Sequence, residues 1–117
     1  MNVPHNKVVA LPDGIYPDFF IHQGRDEVKK KLGIPEGKKI VLYSGSLLKS
    51  KGIDYLIESI PLVLEGCGDA FFLIVGYPVE QARMKVRELG VSTSVFFAGR
   101  VAYFDLPQYL AVADVAV

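Results

Sequence analysis

The residues best suited to chemistry lie in one loop, Ser44-Gly45-Ser46-Leu47-Leu48-Lys49-Ser50-Lys51-Gly52. It leaves an apolar run, Lys39-Ile40-Val41-Leu42-Tyr43, and enters a helical pattern at Ile53. Small residues at Gly45 and Ser46 let a phosphate approach the backbone. A helix start adds unpaired N–H groups and the positive end of a dipole, and Lys51 adds a full charge. Without a ligand, Lys51 is a solvated lysine where a cation opposes that dipole. The chemistry this spacing suits is the binding of a phosphorylated ligand.

Other reactive side chains are isolated. His5 and His22 have no cysteine or carboxylate neighbours at metal-ligand spacing and read as surface histidines, so no metal site is expected. Cys67 falls at a helix end and reads as a small apolar residue with no sign of activation. Lys29-Lys30-Lys31 reads as a solvated helix face. Tyr16, Phe19 and Phe20 read as packing beneath a connecting loop, and Asp13-Gly14 as a turn with a hinge-side role left open.

Composition narrows the classes. The chain has 117 residues, half of them hydrophobic, which suits one small domain with a real core. Thirteen basic residues balance thirteen acidic ones, so no global field favours nucleic acid or an anionic membrane. One cysteine excludes an intrachain disulfide and suits a reducing compartment. No apolar run approaches a spanning helix, and the N-terminus lacks a signal core. A soluble, cytoplasmic domain is expected.

The elements that must position the loop alternate. Lys7 to Leu11 reads as extended and stops at Pro12-Asp13-Gly14. Arg25 to Leu32 reads as a helix with Asp26–Lys30 and Glu27–Lys31 pairs, ended by Gly33. Lys39–Ser44 reads as a central strand covered on both faces. Ile53, Leu56, Ile57, Ile60 and Leu64 form one helical stripe, which Pro61 should kink or end early. Ala70–Val75 is a second buried strand, Val79–Leu89 a charged outward helix, and Ser94–Ala98 a third strand. Asp105 is expected to cap a helix carrying Pro107 in its first turn and running to about Ala113. A fourth strand begins at Asp114. Strands separated by helices imply right-handed crossovers and a parallel sheet. The fold class is therefore α/β, a Rossmann-like parallel sheet with helices on both faces. Gly45, Gly76 and Gly99 each close a strand, so all three fall on the carboxyl edge, where open α/β sheets bind ligands.

Five blocks in order then resemble the family-4 (group 1) glycosyltransferases of the GT-B fold. Leu11-Pro12-Asp13-Gly14-Ile15 is similar to the family's I-P-N-G-V entry segment. Val41 to Leu47 with Lys51-Gly52-Ile53-Asp54-Tyr55-Leu56 is similar to V-L-Y-V-G-R-L followed by K-G-x-D-x-L. Phe72-Leu73-Ile74-Val75-Gly76, Val95 to Val101 and Leu106 to Ala111 resemble three further blocks. The resemblance covers Val8 to Val117, the first half of the family's C-terminal donor-binding domain. It implies an interdomain connection and short helix over residues 1–36 and a truncated nucleotide-sugar-binding domain over residues 37–117.

What the resemblance implies about function is specific. The parent would be a hexosyl-type transferase moving a sugar from a nucleotide-diphosphate-sugar donor to an acceptor with retention of configuration, in polysaccharide or glycolipid biosynthesis. Gly45 and Lys51 match the family's loop glycine and diphosphate-binding lysine, whereas Ser46 stands where an arginine is usual and brings a hydroxyl without charge. Lys49 offers compensation. Ala98 to Val101, with Gly99, Arg100 and Val101, falls where family members cup the nucleobase. Arg100 would stack on the base or reach phosphate, unless it is an ordinary surface arginine at a strand end. Tyr77-Pro78 departs from the family's G-D-G-P at the same place. The donor-contacting residues are then Gly45, Ser46, Lys51, Gly99, Arg100 and Val101.

The resemblance also marks what lies outside the chain. The acidic E-x7-E block, the rest of the C-terminal domain and the N-terminal acceptor domain are not in it, so no catalytic residue and no cofactor is assigned. The piece is expected to be inactive alone and to expose an apolar edge at Val115-Ala116-Val117 that favours association. Nucleic acid is not an expected partner, and peripheral membrane association of the parent stays open. Alternatives are a sugar-nucleotide epimerase or glycogen-synthase-like relative, or a non-enzymatic nucleotide-binding module.

Overall fold

The computed structural model describes residues 5–7 and 24–117. The expected extended run from Val8 to Leu11, the Pro12-Asp13-Gly14 turn, the entry block to Ile15, the aromatic residues 16–21 and His22 lie outside the described residues. Lys7, expected to be extended, sits in a 3-10 turn over His5–Lys7.

The described residues form four α-helices and four strands: α1 (Arg25–Leu32), β1 (Lys39–Ser44), α2 (Ile53–Gly66), β2 (Ala70–Val75), α3 (Glu80–Glu88), β3 (Val95–Gly99), α4 (Leu106–Val112) and β4 (Val115–Ala116). The strands form one parallel sheet in the order β3-β2-β1-β4. The expected Rossmann-like architecture is what the chain adopts.

Apolar periodicity explains the layering. Every residue of β2 is buried, because it is a central strand covered on both faces. Its even-numbered residues Ala70, Phe72 and Ile74 meet Ile53, Ile57 and Ile60 of α2 and Ala82 and Val86 of α3. Its odd-numbered residues Phe71, Leu73 and Val75 join Ile40 and Leu42 of β1, Val28 of α1 and Val112 of α4. Strand side chains alternate with a period of two, so one strand feeds two cores. Helix α1 shares the second core with the sheet, alongside Ile34 just past its end.

Several local expectations are corrected. Of the two outcomes expected at Pro61, a kink or an early end, the early end does not occur, and α2 runs on to Gly66. The buried stripe of Ile53, Ile57 and Ile60 holds the helix to the sheet and outweighs the one missing N–H donor. Asp105 occupies the position before α4 but makes no side-chain cap, because a 3-10 turn over Tyr103–Asp105 already gives it helical dihedrals. Asp26–Lys30 and Glu27–Lys31 form no ion pair, since such exposed pairs gain little against side-chain entropy. Arg25 of α1 pairs instead with Asp114 at 2.6 Å. Cys67 falls at the end of α2, as expected, and is exposed; its N–H donates to the Val63 carbonyl.

Candidate nucleotide-binding site

The carboxyl edge of the sheet is built from backbone. Gly45, Gly76 and Gly99 follow or end β1, β2 and β3 with φ of 157°, 142° and 70°. A Cβ on Gly76 would lie 1.8 Å from the Gly45 carbonyl oxygen, so the loops after β1 and β2 touch with no room for a side chain. Hydrogen bonds tie them: Gly45 N–H to the Val75 carbonyl at 3.0 Å, Leu47 N–H to Tyr77 at 3.1 Å, and Gly76 N–H to Gly99 at 2.8 Å.

Beside this rim lies a cleft of about 570 Å³. Gly45 and Ser46 from the β1 loop, Tyr77 and Pro78 from the β2 loop, and Arg100 and Val101 from the β3 loop line it. The size is that of a small-molecule site. Tyr43 donates from its hydroxyl to the Ser46 carbonyl at 2.6 Å, which fixes the loop from below. The Ser46 hydroxyl accepts from the Leu48 N–H at 3.2 Å, leaving its own proton for a ligand acceptor.

The six residues singled out by sequence thus fall in two groups. Gly45, Ser46, Arg100 and Val101 share the cleft wall. Gly99 is the buttress behind it, accepting the Gly76 N–H. Lys51 is exposed in a 3-10 turn over Lys49–Lys51, its N–H bonded to the Leu48 carbonyl, and does not line the cleft. Helix α2 starts at Ile53, after Gly52 at φ 78°.

Sequence reasoning passed over Tyr77, whose ring faces the Arg100 guanidinium with Cζ 5.0 Å from the centroid. The available signal was its place immediately after the glycine closing β2. Among the described residues, no group of histidine, cysteine and carboxylate side chains is arranged to hold a metal ion. No helix there is long and apolar enough to cross a membrane.

Comparison with known proteins agrees with this architecture. The family description "Glycosyl transferases group 1" matches residues 24–117. A GDP-mannose-dependent monoacylated alpha-(1-6)-phosphatidylinositol monomannoside mannosyltransferase of Corynebacterium glutamicum is 32% identical over 114 residues, covering 95% of this chain and 30% of the relative. The lipopolysaccharide glucosyltransferase WaaG of Escherichia coli is 33% identical over 111 residues, covering 89% of this chain and 29% of that protein. A crystal structure of WaaG, a glycosyltransferase involved in lipopolysaccharide biosynthesis, superposes with a TM-score of 0.77 at 28% identity, covering 97% of this chain and 32% of that one. The chain spans about a third of the length of these relatives.

Proposed function

This chain belongs to the group 1 glycosyl transferases, and on that premise we propose that its parent protein transfers a sugar from a nucleotide-diphosphate-sugar donor to an acceptor with retention of anomeric configuration. In this reading the cleft is part of the donor site. The glycine rim carries the argument, since a surface of bare backbone at the carboxyl edge suits the close approach of a diphosphate.

The roles follow the strand order. The β1 loop, with Gly45 and Ser46, receives the diphosphate, and Lys51 adds charge from the turn before α2. The β3 loop takes the nucleobase through Val101, with Gly99 behind it as the turn that sets the loop's course. Positive charge near the leaving nucleotide stabilises the negative charge that develops there as the sugar departs. The names of two relatives, a phosphatidylinositol monomannoside mannosyltransferase and a lipopolysaccharide glucosyltransferase, support an acceptor in glycolipid or polysaccharide assembly. In this reading the parent is cytoplasmic and meets a lipid-linked acceptor at a membrane surface. At about a third of its relatives' length, the chain alone binds nucleotide and does not turn over.

The test is a titration of the 117-residue chain with GDP and UDP against guanosine and uridine. Diphosphates should bind more tightly than nucleosides, and Lys51→Ala should weaken them modestly, as loss of a positive charge near the cleft but outside its wall predicts. Equal binding by wild type and Lys51→Ala removes Lys51 from the site. No preference for diphosphates removes the donor-site reading.

A further inference from the structure

Arg100 is the one charged side chain on the cleft wall among the described residues. Among the described residues it has no ion-pair partner, although Asp105 lies on the same loop. Its direction comes from an irregularity at the end of β3. Phe97 stands opposite Ile74 and Gly99 opposite Val75, so Ala98 is an extra residue in the ladder. Such a bulge bends the strand and re-aims the side chains beyond it. Gly99 then turns in the left-handed region at φ 70°, with its carbonyl held by the Gly76 N–H. The result is that Arg100 leaves β3 and leans over the loop of the neighbouring strand, its guanidinium 5.0 Å from the Tyr77 ring centroid.

That lean runs toward the β1 loop, because β2 lies between β3 and β1. Leu47 N–H bonds to the Tyr77 carbonyl, so the loop carrying Tyr77 adjoins the loop carrying Ser46. At the β1 end the wall offers the Ser46 hydroxyl and no charge. We propose that Arg100, positioned by the Tyr77 ring, is the cleft's counter-charge for the diphosphate of the bound nucleotide. This rests on reading the cleft as the donor site. Tyr77 is a positioning residue: its ring holds the flat guanidinium by one face and leaves the N–H edge free for phosphate oxygens. A cation–π contact at an exposed ring is weak beside a charge-assisted Arg–phosphate pair, so the ligand takes the N–H groups while the ring keeps the direction.

The experiment measures affinities of the full chain for GDP and UDP, each against its nucleoside, in wild type, Tyr77→Leu, Tyr77→Phe, Arg100→Gln, Arg100→Lys and the double variant Tyr77→Leu/Arg100→Gln. Thermal unfolding of each variant checks that the fold is kept. Arg100→Gln should cut the diphosphate advantage about tenfold or more, as loss of a charge-assisted pair predicts. Tyr77→Leu should cut it about threefold to fivefold with nucleoside affinity unchanged, and Tyr77→Phe should leave it intact. Arg100→Lys, which keeps the charge and loses the flat face, should fall between Arg100→Gln and wild type. The double variant should be no worse than Arg100→Gln alone, since Tyr77 acts through Arg100. An unchanged diphosphate advantage in Tyr77→Leu overturns the proposal. So does an equal loss for nucleoside and diphosphate, which would put the ring against the base. A wild-type chain without diphosphate preference overturns the donor-site reading as well.

Discussion

At the scale of single residues, the decisive group is one with no side chain. Gly76 sits at φ 142° with the Gly45 carbonyl oxygen where a Cβ would go. A flexible neighbour could yield, but a backbone oxygen at the end of a paired strand cannot. Gly76→Ala should therefore cost about 2–4 kcal/mol, read as a lowered denaturation midpoint, and should distort the cleft. A variant as stable as wild type would mean that the two loops separate freely. The strand-closing glycines were legible in the sequence because each followed an apolar run. Their mutual contact was not, since Gly45 and Gly76 are 31 positions apart and only the register of β1 on β2 brings them together. The Arg100–Tyr77 contact was hidden for a related reason. It depends on the extra residue at Ala98, which alternation of apolar residues does not reveal.

Among the elements, α2 was legible over most of its length and misjudged at its end. Its stripe of Ile53, Ile57 and Ile60 is fully covered by the sheet, as the spacing implied. Pro61 misleads because its local propensity is overridden by the packing that surrounds it. It still removes one donor from the helix, and the Ser59 hydroxyl donates to the Leu56 carbonyl at 2.6 Å in the turn before it. Pro61→Ala should restore the bond to the Ile57 carbonyl and raise stability by about 1–3 kcal/mol in denaturant unfolding. No gain would show that the helix has already relaxed around the ring. Between helices, Lys85 of α3 reaches Glu58 of α2 at 2.6 Å and Asp54 at 3.9 Å. Its hydrogen bond to Glu58, with the charge of Asp54 behind it, holds the ammonium above its ordinary pKa. This contact crosses elements, and no helical spacing announces it.

For the whole molecule, the long-range tie is Asp114. Its carboxylate accepts the Ile40 N–H at 2.7 Å and pairs with Arg25 at 2.6 Å, while its own N–H returns to the Ile40 carbonyl at 2.9 Å. It thus joins α1, β1 and the start of β4, segments far apart in the chain. The Ile40 hydrogen bond first, and the Arg25 guanidinium second, hold the Asp114 carboxyl below the usual carboxylate range. A lowered folded-state pKa means that its contribution is present above the ordinary carboxylate pKa and disappears as pH falls through the lowered value. Asp114→Asn should therefore be less stable than wild type near neutral pH, with the gap closing in acid. A gap that stays constant with pH would show that the charge plays no part. In sequence, Asp114 read only as the start of a strand; its partners lie 74 and 89 positions away.

The stitched edge of the sheet has a further consequence for binding. Three backbone hydrogen bonds and the Gly45–Gly76 contact hold the ends of β1, β2 and β3 in one piece before any ligand arrives. A loop that must be ordered on association spends part of the interaction energy on lost conformational freedom. Here that loss has already occurred during folding, so the nucleotide binding proposed for this rim should carry little entropic penalty from the main chain. The ordering that remains falls to side chains on its outer turns.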